Sequence, residues 1–276
     1  MKLASSFIIF FILSNFIFAQ EKGDSTVFDA EITYTNGSTV KGLLDGFIVK
    51  KAIFNSKGDP FANLERRFNF KDKYFTFIDE AGQKTKLKSE EVKHVKLFKD
   101  NGDVLEFGRF SIKHLNKKGQ LKVSESELWL PYIYKDRISL LGFSVFDNSG
   151  RYFGTISFLN REGDDYAIDP MNIKLLDIFS MRKMIEKMEI GLKEVFKECP
   201  ETVAFIDERF ETAMKDKAQN KENRKQFMAK IKEFEKSLKK MSASEKKDAR
   251  GEFYGILNFE GYKEYFDHFN SNCPEE

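Results

Sequence analysis

The chain has 276 residues, 46 of them basic and 44 acidic, for a formal net charge of +2. That balance gives no global field to draw the protein onto nucleic acid or an anionic bilayer, and its length suits one large or two modest domains. Phenylalanine is abundant at 30 residues, which suits either a greasy ligand cavity or ordinary core filler; core filler is the simpler account of an aromatic side chain.

Residues 1–19 have the order of a secretory signal peptide. Lys2 supplies a positive start, Phe7–Leu13 an apolar block, and Phe18-Ala19-Gln20 a processing site. The block is interrupted by Ser14-Asn15 and falls short of the roughly 20 apolar residues of a membrane-spanning helix. No cysteine is near enough to carry a lipid. The expectation is export to the periplasm or the medium, without a lipid anchor and with no transmembrane segment after processing.

Residues 20–165 read as a β-rich domain, divisible into two small β units at 27–98 and 99–165. Phe28, Ala30, Ile32 and Tyr34 alternate with polar residues, the period of a half-buried strand. Asn36-Gly37 follows, then Val40, Gly42 and Leu44 resume the alternation, which predicts a two-residue type I′ hairpin. Glycine turns recur at Ala81-Gly82, Asn101-Gly102, Lys118-Gly119 and Ser149-Gly150. Short strands joined this way predict antiparallel meanders, closing as small barrels or sandwiches, with no room for parallel crossover helices.

Residues 166–276 read as a helical domain, so the fold class is α+β: an antiparallel β-rich half followed by a C-terminal helical bundle. Asp169-Pro170 predicts a helix start. Met181, Ile185, Met188, Leu192 and Val195 then step by four and three; Pro200 restarts a helix with Val203, Ile206, Phe210 and Met214. Phe227, Ile231, Phe234, Leu238 and Met241 form a third stripe. Ser242 and Glu245 match a capping box for a fourth segment, which Gly251, Gly255 and Gly261 should weaken.

Chemistry is sparse. Glu162, Asp164, Asp165 and Asp169 could hold calcium, but their spacing matches no calcium loop and a solvated turn accounts for them. His94, His114 and His268 lie far apart, without the paired spacing of a zinc site. Trp129, at the head of Trp-Leu-Pro-Tyr-Ile-Tyr, is either a sugar-stacking platform or a core strand residue; core is the simpler reading. Lys221–Lys240 carries eight basic and three acidic residues, so it suits an anionic membrane surface or a helix burying one face and solvating the other. No nucleophile elbow, zinc-protease helix or phosphate loop is present, so no catalytic residue and no cofactor is assigned.

Cys199 and Cys273 are the two cysteines. In an oxidising compartment an even pair predicts a disulfide, with two separate buried thiols as the alternative.

Several stretches give the chain a likeness. They are Ile32-Thr33-Tyr34-Thr35-Asn36-Gly37-Ser38-Thr39-Val40-Lys41-Gly42, the strand Arg137-Ile138-Ser139-Leu140-Leu141, Phe196-Lys197-Glu198-Cys199-Pro200, and the ending Phe269-Asn270-Ser271-Asn272-Cys273. With these the layout resembles a group of exported bacterial proteins of unknown function whose leaders end in Ala-Gln. It departs from them in a Lys-rich insertion from about Lys215 to Arg250. The resemblance implies export and a β-then-α order, and brings no activity or site residues.

The sequence therefore suggests an exported, non-enzymatic envelope or secreted protein that binds something through its β-rich half, an envelope protein or a glycan being the expected partner and nucleic acid not. The alternatives are a hydrolase with dispersed catalytic residues and a peripheral membrane protein using helix 221–240.

Overall fold

A computed structural model describes residues 27–47, 74–98, 102–116, 120–146, 152–170 and 181–273. The expected leader and the turns at Lys118-Gly119 and Ser149-Gly150 lie outside these residues. Ten strands form one continuous sheet: β1 (Val27–Tyr34), β2 (Thr39–Asp45), β3 (Tyr74–Ile78), β4 (Lys84–Lys88), β5 (Val92–Phe98), β6 (Val104–Leu115), β7 (Leu121–Tyr134), β8 (Ile138–Phe146), β9 (Tyr152–Arg161) and β10 (Tyr166–Asp169). Helices α1 (Met181–Val195), α2 (Pro200–Lys215), α3 (Lys217–Ser237) and α4 (Ala243–Asn272) follow. The α+β class is therefore as the sequence predicts.

The hairpin at Asn36-Gly37 is not the two-residue turn expected. Gly37 N–H donates to Tyr34 O at 3.0 Å and Tyr34 N–H to Ser38 O at 2.8 Å, so the loop has three residues with Gly37 at φ +86°. Asn36 Oδ1 accepts from both the N–H and the hydroxyl of Ser38, which favours the longer loop. The β3–β4 loop repeats the pattern, with Gly82 N–H donating to Asp79 O at 2.9 Å and Gly82 at φ +79°.

Strands β6 to β10 close into a five-stranded barrel, sealed by β10 running parallel to β6 (Tyr166↔Ser111 to Asp169↔His114). A parallel pair was not expected from connections this short. The physical reason is parity: in an up-and-down meander of five strands the first and last run the same way, so closure makes their seam parallel without a crossover helix. Asp169 is accordingly the last residue of β10, and residues 171–180, where the Asp169-Pro170 helix would begin, lie outside the described residues.

Two buried clusters share β6 and β7 as a common wall. On β7 Trp129 enters a core made with Ile32, Leu44, Phe47, Phe75, Val95 and Phe107, while Leu128 and Leu130 on the other face enter the barrel core. The barrel core continues without a break into the helices through Leu192, Phe196, Ile206, Tyr262 and Phe266. Close backbone approach explains Gly142: it has φ +143°, and an added Cβ would stand 2.0 Å from Ile156 O.

In α4 the structure departs from expectation again. Gly251, Gly255 and Gly261 sit within a single 30-residue helix. Gly251 and Gly255 are buried, so packing offsets the roughly 1 kcal/mol that each glycine costs an isolated helix. The capping box is present, with Ser242 N–H donating to Glu245 at 2.7 Å and Glu245 N–H to Ser242 Oγ at 3.3 Å.

Candidate functional site

Three places gather polar chemistry. The first is the seam where α4 meets the barrel. Cys199 is the N-cap residue of α2 and Cys273 the C-cap residue of α4, and the two are at disulfide distance with Cα atoms 6.0 Å apart. The fit is within bridging range. The same end of α4 is held to the β7–β8 turn. Arg137 donates to Cys273 O and lies 4.5 Å over the Phe269 ring, and Asn270 Nδ2 donates to Asp136 Oδ2 at 3.0 Å. Tyr134 O–H donates to Asp136 at 2.6 Å, and its ring stacks on Phe266 at 5.3 Å. Burial raises the Tyr134 phenol and the Asp136 carboxylate beside it adds to that, so it stays a neutral donor.

Inside the seam the Thr202 hydroxyl, fully buried, lies 3.0 Å from Cys199 Sγ and 3.0 Å from His268 Nδ1. The His268 ring stacks on Phe205 at 4.3 Å. Glu201 lies close enough to both sulfurs to complete a three-ligand group. Sulfurs paired with each other offer no thiolate to a metal, however.

The second place is a charge ladder on the N-terminal sheet. Glu31 pairs with Lys96 at 3.1 Å and Lys41 at 3.7 Å across β1, β5 and β2. Next to it Glu106 meets Lys135, and His94 Nε2 at 2.7 Å, a contact off the ring N–H direction. Burial pushes the Glu106 carboxyl up, but His94 and Lys135 outweigh it and hold it down at about 2. Such a carboxylate is locked into its charged form and is a poor proton carrier near neutral pH.

The third place is the α3–α4 hairpin. Residues 221–230 are exposed without interruption, with Phe227 46% and Met228 54% accessible. Burial begins only with Ile231 and Phe234 and is complete at Leu238. Of the two sequence readings, the face buried against neighbours holds for the C-terminal part of the stripe alone. Met241 lies beyond the helix, after a 3-10 turn at Leu238–Lys240. The hairpin is closed by Phe234 stacking on Phe253 at 3.8 Å and by the two-pronged Arg250–Glu235 pair, at 3.0 and 2.7 Å. A shallow cavity of about 320 Å³ lies between the helices, walled by Phe234, Phe253, Ile256 and Leu257 with Lys230 and Glu260 at its rim.

The other sequence candidates have structural partners. Asp164 pairs with Arg161 at 3.1 Å, Asp165 O accepts from Ser111 N–H, and Asp169 is in β10. Trp129 is 1% exposed and its indole N–H donates to Ser89 Oγ at 2.8 Å, so it is a core residue and no platform. His94, His114 and His268 sit on β5, β6 and α4. Thr202, Arg137 and Asp136 carried no signal in sequence: each acts through a partner at least 60 residues away, His268, Cys273 and Asn270 respectively.

Among the described residues no helix is long and apolar enough to cross a membrane. No family model, curated protein or solved structure matches the chain.

Proposed function

We propose that this is an exported, non-enzymatic envelope protein that attaches to an anionic lipid surface through α3, with the barrel as its scaffold. The carrying observation is the exposed run of α3, basic in excess and bearing Met228 in water on the basic side. Lys221, Lys225, Lys232 and Lys236 step by four, seven and four, which aligns them on one side of the helix over about 22 Å. Each lysine close to an anionic surface contributes about 1 kcal/mol, so the stripe, with Met228 on the same side and Phe227 on the side of Ile231 and Phe234, supports reversible attachment. The β-rich half offers less: its ladder charges neutralise one another in pairs.

A hydrolase is disfavoured on one observation. Among the described residues the hydroxyl that touches a histidine, Thr202, is fully buried. The test of the lipid reading is co-sedimentation of the mature protein with vesicles of phosphatidylcholine, with or without phosphatidylglycerol. Binding only to the anionic vesicles, weakened by salt and by changing the four stripe lysines to glutamate, is the expected result. Equal binding to neutral vesicles, or none at low salt, would refute it.

A further inference from the structure

The seam at Cys199 has features that a purely structural crosslink does not require. Cys199 occupies the N-cap of a 16-residue helix, yet no side chain caps that helix. Paired with Cys273, its sulfur accepts from none of the first-turn N–H groups that a Ser or Asp oxygen would take there. A thiolate at this end gains from the positive end of the helix. The Thr202 hydroxyl has a single proton to share between His268 Nδ1 and Cys199 Sγ, each 3.0 Å away. A disulfide sulfur accepts weakly, so in the tautomer with an unprotonated Nδ1 the hydroxyl donates to His268; a thiolate would draw the proton over. Access is asymmetric, since Cys199 is 0% exposed whereas Cys273 is partly exposed.

We infer that Cys199–Cys273 is a reversible redox site that exchanges with external dithiols, Cys273 being the attacked sulfur and Cys199 the leaving thiolate. The reductant's thiolate bonds to Cys273 Sγ, the Cys199–Cys273 bond breaks, and its electron pair leaves on Cys199. The reductant's second thiolate then attacks its own sulfur in the mixed disulfide, releasing Cys273 as a thiolate and leaving the reductant as a disulfide. Two electrons pass from dithiol to cystine, and the dithiol's two protons end on solvent or the new thiols. A leaving thiol of low pKa makes the first step fast. Two things oppose it: Cys199 is fully buried, which raises a thiol's pKa, and Glu201 places a carboxylate oxygen 3.9 Å from Cys199 Sγ, although that side chain is exposed and screened by water. Arg137, Asn270 and the Tyr134–Phe266 stack hold the end of α4 without the bond, so the reduced protein keeps its partner sulfur close for re-oxidation. This inference is independent of the lipid reading.

The test is reduction of the folded, oxidised protein by dithiothreitol, following thiol release and circular dichroism together. Two thiols should appear with the helical signal intact, and the bond should re-form when the reductant is removed. A limiting monothiol should be trapped as a mixed disulfide on Cys273 by peptide mass. Thr202→Val should slow reduction about threefold or more, Thr202→Ser should restore the rate, and Glu201→Gln should raise it. Should Thr202→Val not fold, the unchanged protein still decides: ultraviolet thiolate absorbance of the reduced form should titrate below the usual thiol value of about 8.5. Thiols released only on denaturation, a mixed disulfide on Cys199, or a titration at or above the usual value would overturn the inference.

Discussion

The two ends of α4 are held by different physics. Its C-terminal half is sunk into the barrel core, with Tyr262, Tyr265, Phe266 and Phe269 all at most 6% exposed, and is then tied by Arg137, Asn270 and the cysteine pair. Its N-terminal half holds little besides α3, through the Phe234–Phe253 stack and Arg250–Glu235. One end is an extension of the sheet's hydrophobic core; the other is a two-helix arm whose outer helix is bare over residues 221–230. Burial therefore does not account for residues 221–230 of α3, and a stretch without buried side chains belongs to the low-stability, locally opening part of the molecule. That is where a surface-seeking element would be expected.

The sharpest way to break this comparison is to truncate one aromatic at each end. Phe266→Ala removes a ring that is 2% exposed and packed against Phe196 and Tyr134, and should cost about 3–5 kcal/mol in denaturant unfolding. Phe253→Ala, whose ring stacks on a partly buried partner, should cost about 1–2 kcal/mol. Equal losses would mean that the arm is as much core as the seam. Next in size is the crosslink: replacing both cysteines by serine closes no loop in the unfolded chain and should remove about 2–4 kcal/mol, read as a lower melting temperature.

Acid separates the two regions through their carboxylates. Glu106 in the sheet and Glu235 in the arm both have folded values below the ordinary carboxylate range. For Glu235 the Arg250 hydrogen bonds are the main cause, against burial. A depressed value means that the stabilisation is present above the unfolded carboxyl value and is lost as pH falls through the folded one. Stability should therefore decline from about pH 4.5 towards 2, with Glu106 contributing about 2 kcal/mol after allowance for its partial exposure. Glu106→Gln should flatten that decline in pH-dependent unfolding; an unchanged slope would detach it from the ladder. Smaller again, and opposite in sign, is Gly261→Ala. An added Cβ meets nothing within 4 Å, so helix propensity alone acts and should stabilise by about 0.5–1 kcal/mol.

What could be read in the sequence was whatever repeats locally. Alternation located β1 and β2, and the four-three steps located α1 and α2. An even pair of cysteines points to Cys199 with Cys273, which the structure places at bridging distance. What escaped were features set by closure. Tyr166-Ala167-Ile168-Asp169 is too short to show a period of two, and the following proline made Asp169 look like a helix cap. Yet this strand seals the barrel, because its partner Ser111–His114 is brought round by three intervening strands. The glycines of α4 misled for the matching reason: propensity is local, and α4 owes its length to contacts from residues far off in sequence. Trp129 was legible as a core residue, but not which core, since one face of β7 serves each.

The smallest effect expected on stability is the one that best isolates the arm. Lys221, Lys232 and Lys236 show no ion pair with any described residue, and Lys225 meets only the exposed Glu222, at 3.7 Å. Exposed pairs of that kind are worth about 0–1 kcal/mol, and surface substitutions without a partner stay within about 0.5 kcal/mol. Changing Lys221, Lys232 and Lys236 to glutamate should thus leave the denaturant midpoint almost unmoved. If these side chains matter to the fold, through contacts along α3 or with α4, the midpoint will drop by well over that margin and the arm is structural. If they are held out for a surface, the same triple variant loses anionic-vesicle binding at full stability. Far-ultraviolet dichroism should report α3 still helical, because lysine and glutamate differ little in helix propensity. Stability and attachment then separate in one variant, which a helix packed on both sides would not allow.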